Sequence, residues 1–380
     1  MAPRRPDKKP RRRPGLSRAV GGSSKPVAPQ ALVKTAEHQL EEGNIQEALD
    51  LACKALEYSD AGSDDELASV NFLGQIHLDL GEFEAARSYF MRAVALDEDG
   101  SKDEKIGGGP EKFLCLAQLS EEGGADSVSW FEQGAAALKE QIQNLEEVRR
   151  KTTEQELQIG EFKRKLAMTL CSIAEVYMTD LSWEEDAEQR CEALITEATM
   201  VAPEFAETWQ TLANCRISQS RFDDAKAALT RSLELWIELP PEDPAVPDFP
   251  SRVALARLLM EVEMEQKAIE VLERLVGEDD ESVEVWYLGG WGLYVMGEKQ
   301  KAGDSKEEDW KASWISSRVW LNQCQHLYKL QDYEDEPLGE HAQELLGLIA
   351  QELGEAPAGE EDGEDEDWED ADDSDEEMKG

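Results

Sequence analysis

The segment LGEFEAARSYFMRAVALDED, Leu80 to Asp99, recurs in altered form along the chain, and that recurrence limits the fold more than any other feature. It carries Gly81 ahead of its first periodic residue, small residues at Ala86 and Ala93 and an aromatic at Phe90, and the stretch before it has a small residue at Gly74. Thirty-eight residues earlier, Ala36, Gly43, Ala48 and Ala55 occupy the places of Gly74, Gly81, Ala86 and Ala93, an offset of a thirty-four-residue unit plus a four-residue loop extension. Small residues at fixed points of two successive amphipathic helices let their backbones approach. A single hairpin of this kind cannot bury its apolar face, so copies must stack.

Further copies follow. Trp209, Leu212, Ala213, Phe222, Ala225 and Leu229 form the best one; the copy before it is marked by Ile173, Ala174 and Tyr177 and closes with Ala198 and Pro203. Leu255, Ala256, Ala268 and Leu272 supply another, and Trp286, Gly290 and Gly297 one more, with Gly297 at the turn position of Gly81. A degenerate pair lies between Phe113 and Leu138, with Ala117 and Gly124 as its small residues. Insertions break the period at Gln141–Glu161, Pro240–Pro250 and Lys299–Asp309, and Glu340 to Gly354 reads as a capping helix. Strand-like alternation is absent, so the fold class is all-α: a solenoid of about seven helix pairs plus a C-terminal capping helix. The expected organisation is a disordered basic tail over 1–27, the repeats over 28–354, and a disordered acidic tail over 355–380.

The formal charge is −45. Residues 1–25 hold nine Lys/Arg and one acidic residue, residues 355–380 hold fifteen Asp/Glu and one Lys, and about −39 is left on the body between them. Such a body repels polyanions and attracts basic partners, so direct nucleic-acid binding is not expected. No apolar run approaches the ~20 residues of a membrane span, and the N-terminus lacks the apolar core of a secretory signal, which places the chain in the cytoplasm and nucleus with no membrane partner. The six cysteines are scattered and read as small core residues, and the four histidines are isolated. No metal, no cofactor and no catalytic motif is expected. The glycine-rich Ile106–Pro110 lacks the flanking strand and the Lys-Ser/Thr of a phosphate-binding loop and reads as a plain loop. The chain is not expected to be an enzyme.

The W-x-x-L-G-x-x-Y, A-x-x-x-F and Pro pattern of these units resembles the tetratricopeptide-repeat family. That resemblance implies a right-handed superhelix whose inner groove is lined by the first helix of each pair. By register the groove positions include Glu37, then Asn71, Gln75 and Asp79, then Glu175 and Met178, then Glu207, Gln210 and Asn214, then Glu261, then Tyr287, Trp291 and Tyr294. Members of the repeat family that clamp a C-terminal carboxylate use Lys and Arg at such positions; here only Arg257 is basic. A basic, partly apolar extended segment suits this lining better, with carboxylates accepting charge-assisted hydrogen bonds and Met and aromatic side chains taking apolar groups.

The acidic repeats and the closing EDGEDEDWEDADDSDEEMKG together resemble the family of dedicated assembly chaperones of a large-subunit ribosomal protein of the uL-four type. The resemblance implies a holdase that captures the newly made basic protein, shields it, accompanies it to the nucleus and releases it on the pre-ribosome. An acidic histone chaperone and a scaffold subunit of a protein complex are the alternatives. The basic cluster Lys8, Lys9, Arg11, Arg12 and Arg13 reads as a ligand for a nuclear import receptor, the rival reading being an arm that folds back on the acidic tail.

Overall fold

The computed structural model describes residues 28–121, 123–303 and 305–354. Both tails, with Lys8, Lys9, Arg11, Arg12 and Arg13, lie outside the described residues. Fifteen α-helices and no strand are found among the described residues. The chain divides into two compact units, the first ending at Leu119 and the second beginning at Ser120.

The first unit holds α1 (Pro29–Glu41), α2 (Ile45–Tyr58), α3 (Asp64–Asp79), α4 (Phe83–Leu96) and α5 (Glu111–Gln118). Helices α1 and α2 form one hairpin and α3 and α4 the next; α2 packs on α3, and α5 on α4. The repeat residues make these contacts: Ala36, Ala48, Ala55, Ala86 and Ala93 have no exposed surface. A Cβ on Gly74 would stand 2.7 Å from the Phe90 ring, so glycine here is what admits the aromatic. Gly43 and Gly81 end the first helix of their hairpins with φ of +80° and +72°, a left-handed turn that a side chain resists.

The second unit holds α6 (Gly124–Glu146), α7 (Thr153–Met178), α8 (Ala187–Val201), α9 (Ala206–Ser218), α10 (Phe222–Glu234), α11 (Phe249–Glu261), α12 (Glu265–Glu278), α13 (Val283–Ala302), α14 (Glu307–Leu330) and α15 (Glu336–Leu353). Helix α6 packs on α7, and α7/α8, α9/α10, α11/α12 and α13/α14 are hairpins. Their first helices also touch in sequence, α7 on α9, α9 on α11 and α11 on α13, and α15 extends this inner row by packing on α13 and α14. Leu229, Trp236, Leu255, Leu259 and Leu272 form the centre of the largest core cluster, each with no exposed surface.

Four details differ from the sequence reading. The insertion at Gln141–Glu161 is mostly helix: α6 runs to Glu146 and α7 starts at Thr153, behind a capping box in which Thr152 accepts from the Gln155 backbone. The insertion at Lys299–Asp309 likewise lengthens α13 and α14. Gly297 is therefore not a turn residue but lies inside α13, where a Cβ would meet the Trp314 ring at 2.4 Å. Cys53 is exposed, whereas the other five cysteines are buried. The capping helix forms, starting at Glu336 with Pro337 in its first turn and the Asp335 carboxylate accepting from the Leu338 N–H at 3.1 Å.

Candidate functional site

Stacking places the expected groove residues on the first helices of the hairpins. In the first unit Glu37 is exposed on α1, and Asn71, Gln75 and Asp79 follow one another up α3 at helical spacing. Gln75 Nε2 donates to Asp79 Oδ1 at 3.4 Å, so these two act as one polar patch. Asn71 is half-buried, and its Oδ1 has no hydrogen-bond partner among the described residues.

In the second unit the α7–α9 pair supplies the acidic part of the face. Glu175 reaches solvent, yet the protein flanking it displaces enough water to push its carboxyl above the usual glutamate range. Glu207 is shifted the same way, mainly by burial, with Asp248 adding to the shift and Arg164 opposing it. Glu207 lines a cavity of about 380 Å³ together with Lys163, Arg164, Val201, Phe205 and Val246. Cys171, one helical turn before Glu175, is buried, and burial with the fields of Glu175 and Glu207 leaves its thiol at about 12, unreactive at neutral pH. Met178 is half-buried and Asn214 exposed, whereas Gln210 is buried with its Nε2 unpaired among the described residues.

The α11–α13 pair supplies the apolar part. Met260, Glu261, Tyr287, Leu288, Trp291 and Val295 line a cavity of about 540 Å³. Glu261 is exposed at its rim, and Trp291 exposes 37 % of its surface. His341 of α15 holds this aromatic wall: its Nδ1 lies 2.7 Å from the Tyr287 hydroxyl, and its ring meets Trp291 edge-on at 5.7 Å. Arg257 also lines the cavity, but its guanidinium is paired with Glu284, which cancels its charge there. Tyr294 is stacked on Trp314 at 5.4 Å and belongs to the packing of α13 against α14.

Of the residues expected from register, Glu261, Tyr287 and Trp291 come together on one cavity, while Glu207 lines a different one and Glu175 stands on the neighbouring helix α7. His341 was not foreseen; nothing in its flanking sequence relates it to Tyr287, fifty-four residues away. Among the described residues no group of His, Cys, Asp and Glu is arranged to hold a metal ion, and no helix is long and apolar enough to cross a membrane.

A profile of the tetratricopeptide repeat matches residues 67–99, the span of α3 and α4. A protein of Emericella nidulans named "Probable assembly chaperone of rpl4" is 47 % identical over 366 residues, which is 92 % of this chain and 90 % of the relative. This chain belongs to the rpl4 assembly-chaperone family. A second family member, from Schizosaccharomyces pombe and of the same name, is 32 % identical over 313 residues, 82 % of this chain and 88 % of its own. The solved structure of the family's "Assembly Chaperone of RpL4 (Acl4)", residues 1–338, superposes with a TM-score of 0.68 at 58 % identity, over 73 % of this chain and 99 % of that one. The family's fold is accordingly the all-α repeat fold seen here.

Proposed function

We propose that this chain is a dedicated chaperone of a newly made, basic ribosomal protein of the large subunit, the rpl4 of its relatives, and that it holds an extended segment of that protein on its inner helix row. The observation that carries this reading is that one row of packed helices, α7, α9, α11 and α13, bears the carboxylates Glu175, Glu207 and Glu261 and an aromatic cavity at Tyr287 and Trp291. Ribosomal proteins carry long basic segments intended for RNA, and a carboxylate-lined face substitutes for that polyanion until assembly. Lys and Arg of the client donate to Glu175, Glu207 and Glu261. One of its long or apolar side chains fills the cavity, its stem along Met260 and Val295 and against the Trp291 face. The body's charge keeps RNA away from the same surface.

Binding, shielding and release need no bond-making chemistry, and the proposed role is non-enzymatic. Escort to the nucleus belongs to the same proposal, with Lys8, Lys9, Arg11, Arg12 and Arg13 as the segment offered to an import receptor. The test is co-expression with the ribosomal protein, followed by calorimetry of the purified partners over a salt series. Affinity should fall steeply with salt and level off at a remainder supplied by the cavity. An affinity indifferent to salt overturns the anionic face, and histones displacing the ribosomal protein at equal concentration would favour a histone chaperone.

A further inference from the structure

From Trp310 to Gln331 the sequence has no Asp or Glu, the longest such run in any of the helices of a chain in which 84 of 380 residues are acidic. This run is α14. Along its outer side Ile315, Val319 and Leu330 expose 45 %, 54 % and 71 % of their surfaces, interspersed with Lys311, Arg318, His326 and Lys329, of which Lys311 also pairs with Glu307 one turn earlier at 2.5 Å. An apolar and basic stripe on a body of about −39 is a place that an acidic, partly apolar segment would select over the rest of the surface.

The chain supplies that segment. Glu352 at the end of α15 pairs with Lys301 at 2.9 Å, and Arg318 Nη1 donates to the Gly354 carbonyl at 3.4 Å. The last described residue, Gly354, is therefore beside Arg318, which lies between Ile315 and Val319 along the helix, and residues 355–380 follow it in sequence. They carry fifteen acidic residues, one Lys and a single aromatic, Trp368. Ile315 to Leu330 spans about 23 Å of helix, and a 26-residue segment reaches up to roughly 85 Å, so length does not limit the return.

We propose that residues 355–380 lie back along the outer face of α14, with their carboxylates on Lys311, Arg318 and Lys329 and Trp368 on the Val319–Leu330 stripe. The acidic segment is then held on the outer side of the last hairpin, away from the inner row where it would compete for basic clients. The apolar stripe is at the same time kept from pairing with a second copy. This inference is independent of which client the inner row takes.

Zero-length carbodiimide coupling of the full chain at low micromolar concentration tests it, because the reagent joins a Lys amine only to a carboxylate already in contact. Peptide mapping of the monomer should find Lys329 and Lys311 joined to carboxylates between residues 360 and 377. The exposed substitutions Val319→Asp and Leu330→Asp, made together, should cut that yield at least fivefold without moving the melting midpoint. Links from Lys329 only to other parts of the body, tail links only between two copies, or a yield unchanged in the folded double variant would each overturn the proposal.

Discussion

At the scale of single residues, the hairpin turn shows both what the sequence reveals and what it conceals. Gly43 and Gly81 are recognisable as turn glycines and adopt positive φ; Ser220 and Glu263 occupy the same repeat position with φ of 58° and 61°, and nothing in their identity marks it. The repeat imposes the left-handed backbone and the side chain tolerates it. Ser220→Gly should therefore stabilise the protein by about 0.5–1 kcal/mol, the relief of left-handed strain exceeding the extra unfolded-state entropy of glycine. Thermal denaturation read by circular dichroism checks this as a raised midpoint. Gly81→Ala should destabilise the protein by about 1–2 kcal/mol and lower the midpoint. The helix that carries each expected groove residue was legible for the same reason as the turns, but its exposure was not: Gln210 is buried and Tyr294 stacks on Trp314 of α14. The partner of Tyr287 was not legible, because α15 brings His341 from outside the repeat period.

At the scale of elements, helix pairs were readable from small-residue spacing, but helix lengths were not. Residues after Gln141 and after Lys299 interrupt the thirty-four-residue period, yet most of them are helical, so α6, α7, α13 and α14 extend into the insertions from both sides. The glycine-rich Ile106–Pro110 segment is a loop as its composition indicates, yet it encloses a buried ion pair that no periodicity announces. Lys112 Nζ, in the first turn of α5, donates to Asp97 Oδ2 and to the Gly109 carbonyl, both at 2.6 Å, and Asp97 also accepts the backbone N–H of Lys102 and Gly109. Both side chains are about 1 % exposed, and burial pulls the Lys112 ammonium below the usual lysine range against the attraction of Asp97. Lys112→Met should cost about 3–5 kcal/mol by leaving the Asp97 carboxylate buried without its counter-charge. Chemical denaturation should show the loss and its partial recovery when Asp97→Leu is added; an unchanged midpoint in the single variant would mean that water, not Lys112, solvates Asp97.

At the scale of the whole molecule, charge couples stability to pH in two opposite senses. The carboxyls of Glu66, Glu192 and Glu278 are held below the usual range, by the Gly62 N–H with Arg92, by Arg216 and by Arg252 respectively. Their stabilisation is complete above the ordinary glutamate pKa and is lost as pH falls through their depressed values. Glu175 and Glu207 are raised, so the folded state takes up protons there before the unfolded state does, and mild acid stabilises the free chain through them. Acidification into the window just above the ordinary glutamate pKa should thus weaken client binding while the free protein's melting midpoint holds or rises. The two readouts separating in that window is the expected result; both falling together would remove these carboxylates from the binding account. The central claim, that the inner helix row holds the client, is tested most directly by pulldown of the ribosomal protein at equal chaperone levels with wild type, Glu175→Lys/Asn214→Lys and a deletion of residues 355–380. The double variant should fold as wild type, because Ala174, Ala213 and Ala225 of the packing seam are untouched, and should bind at least tenfold more weakly, ~1.4 kcal/mol or above. The deletion should bind nearly as wild type, since a tail supplies mainly encounter rate. A folded double variant that keeps the client while the deletion loses it would contradict the account.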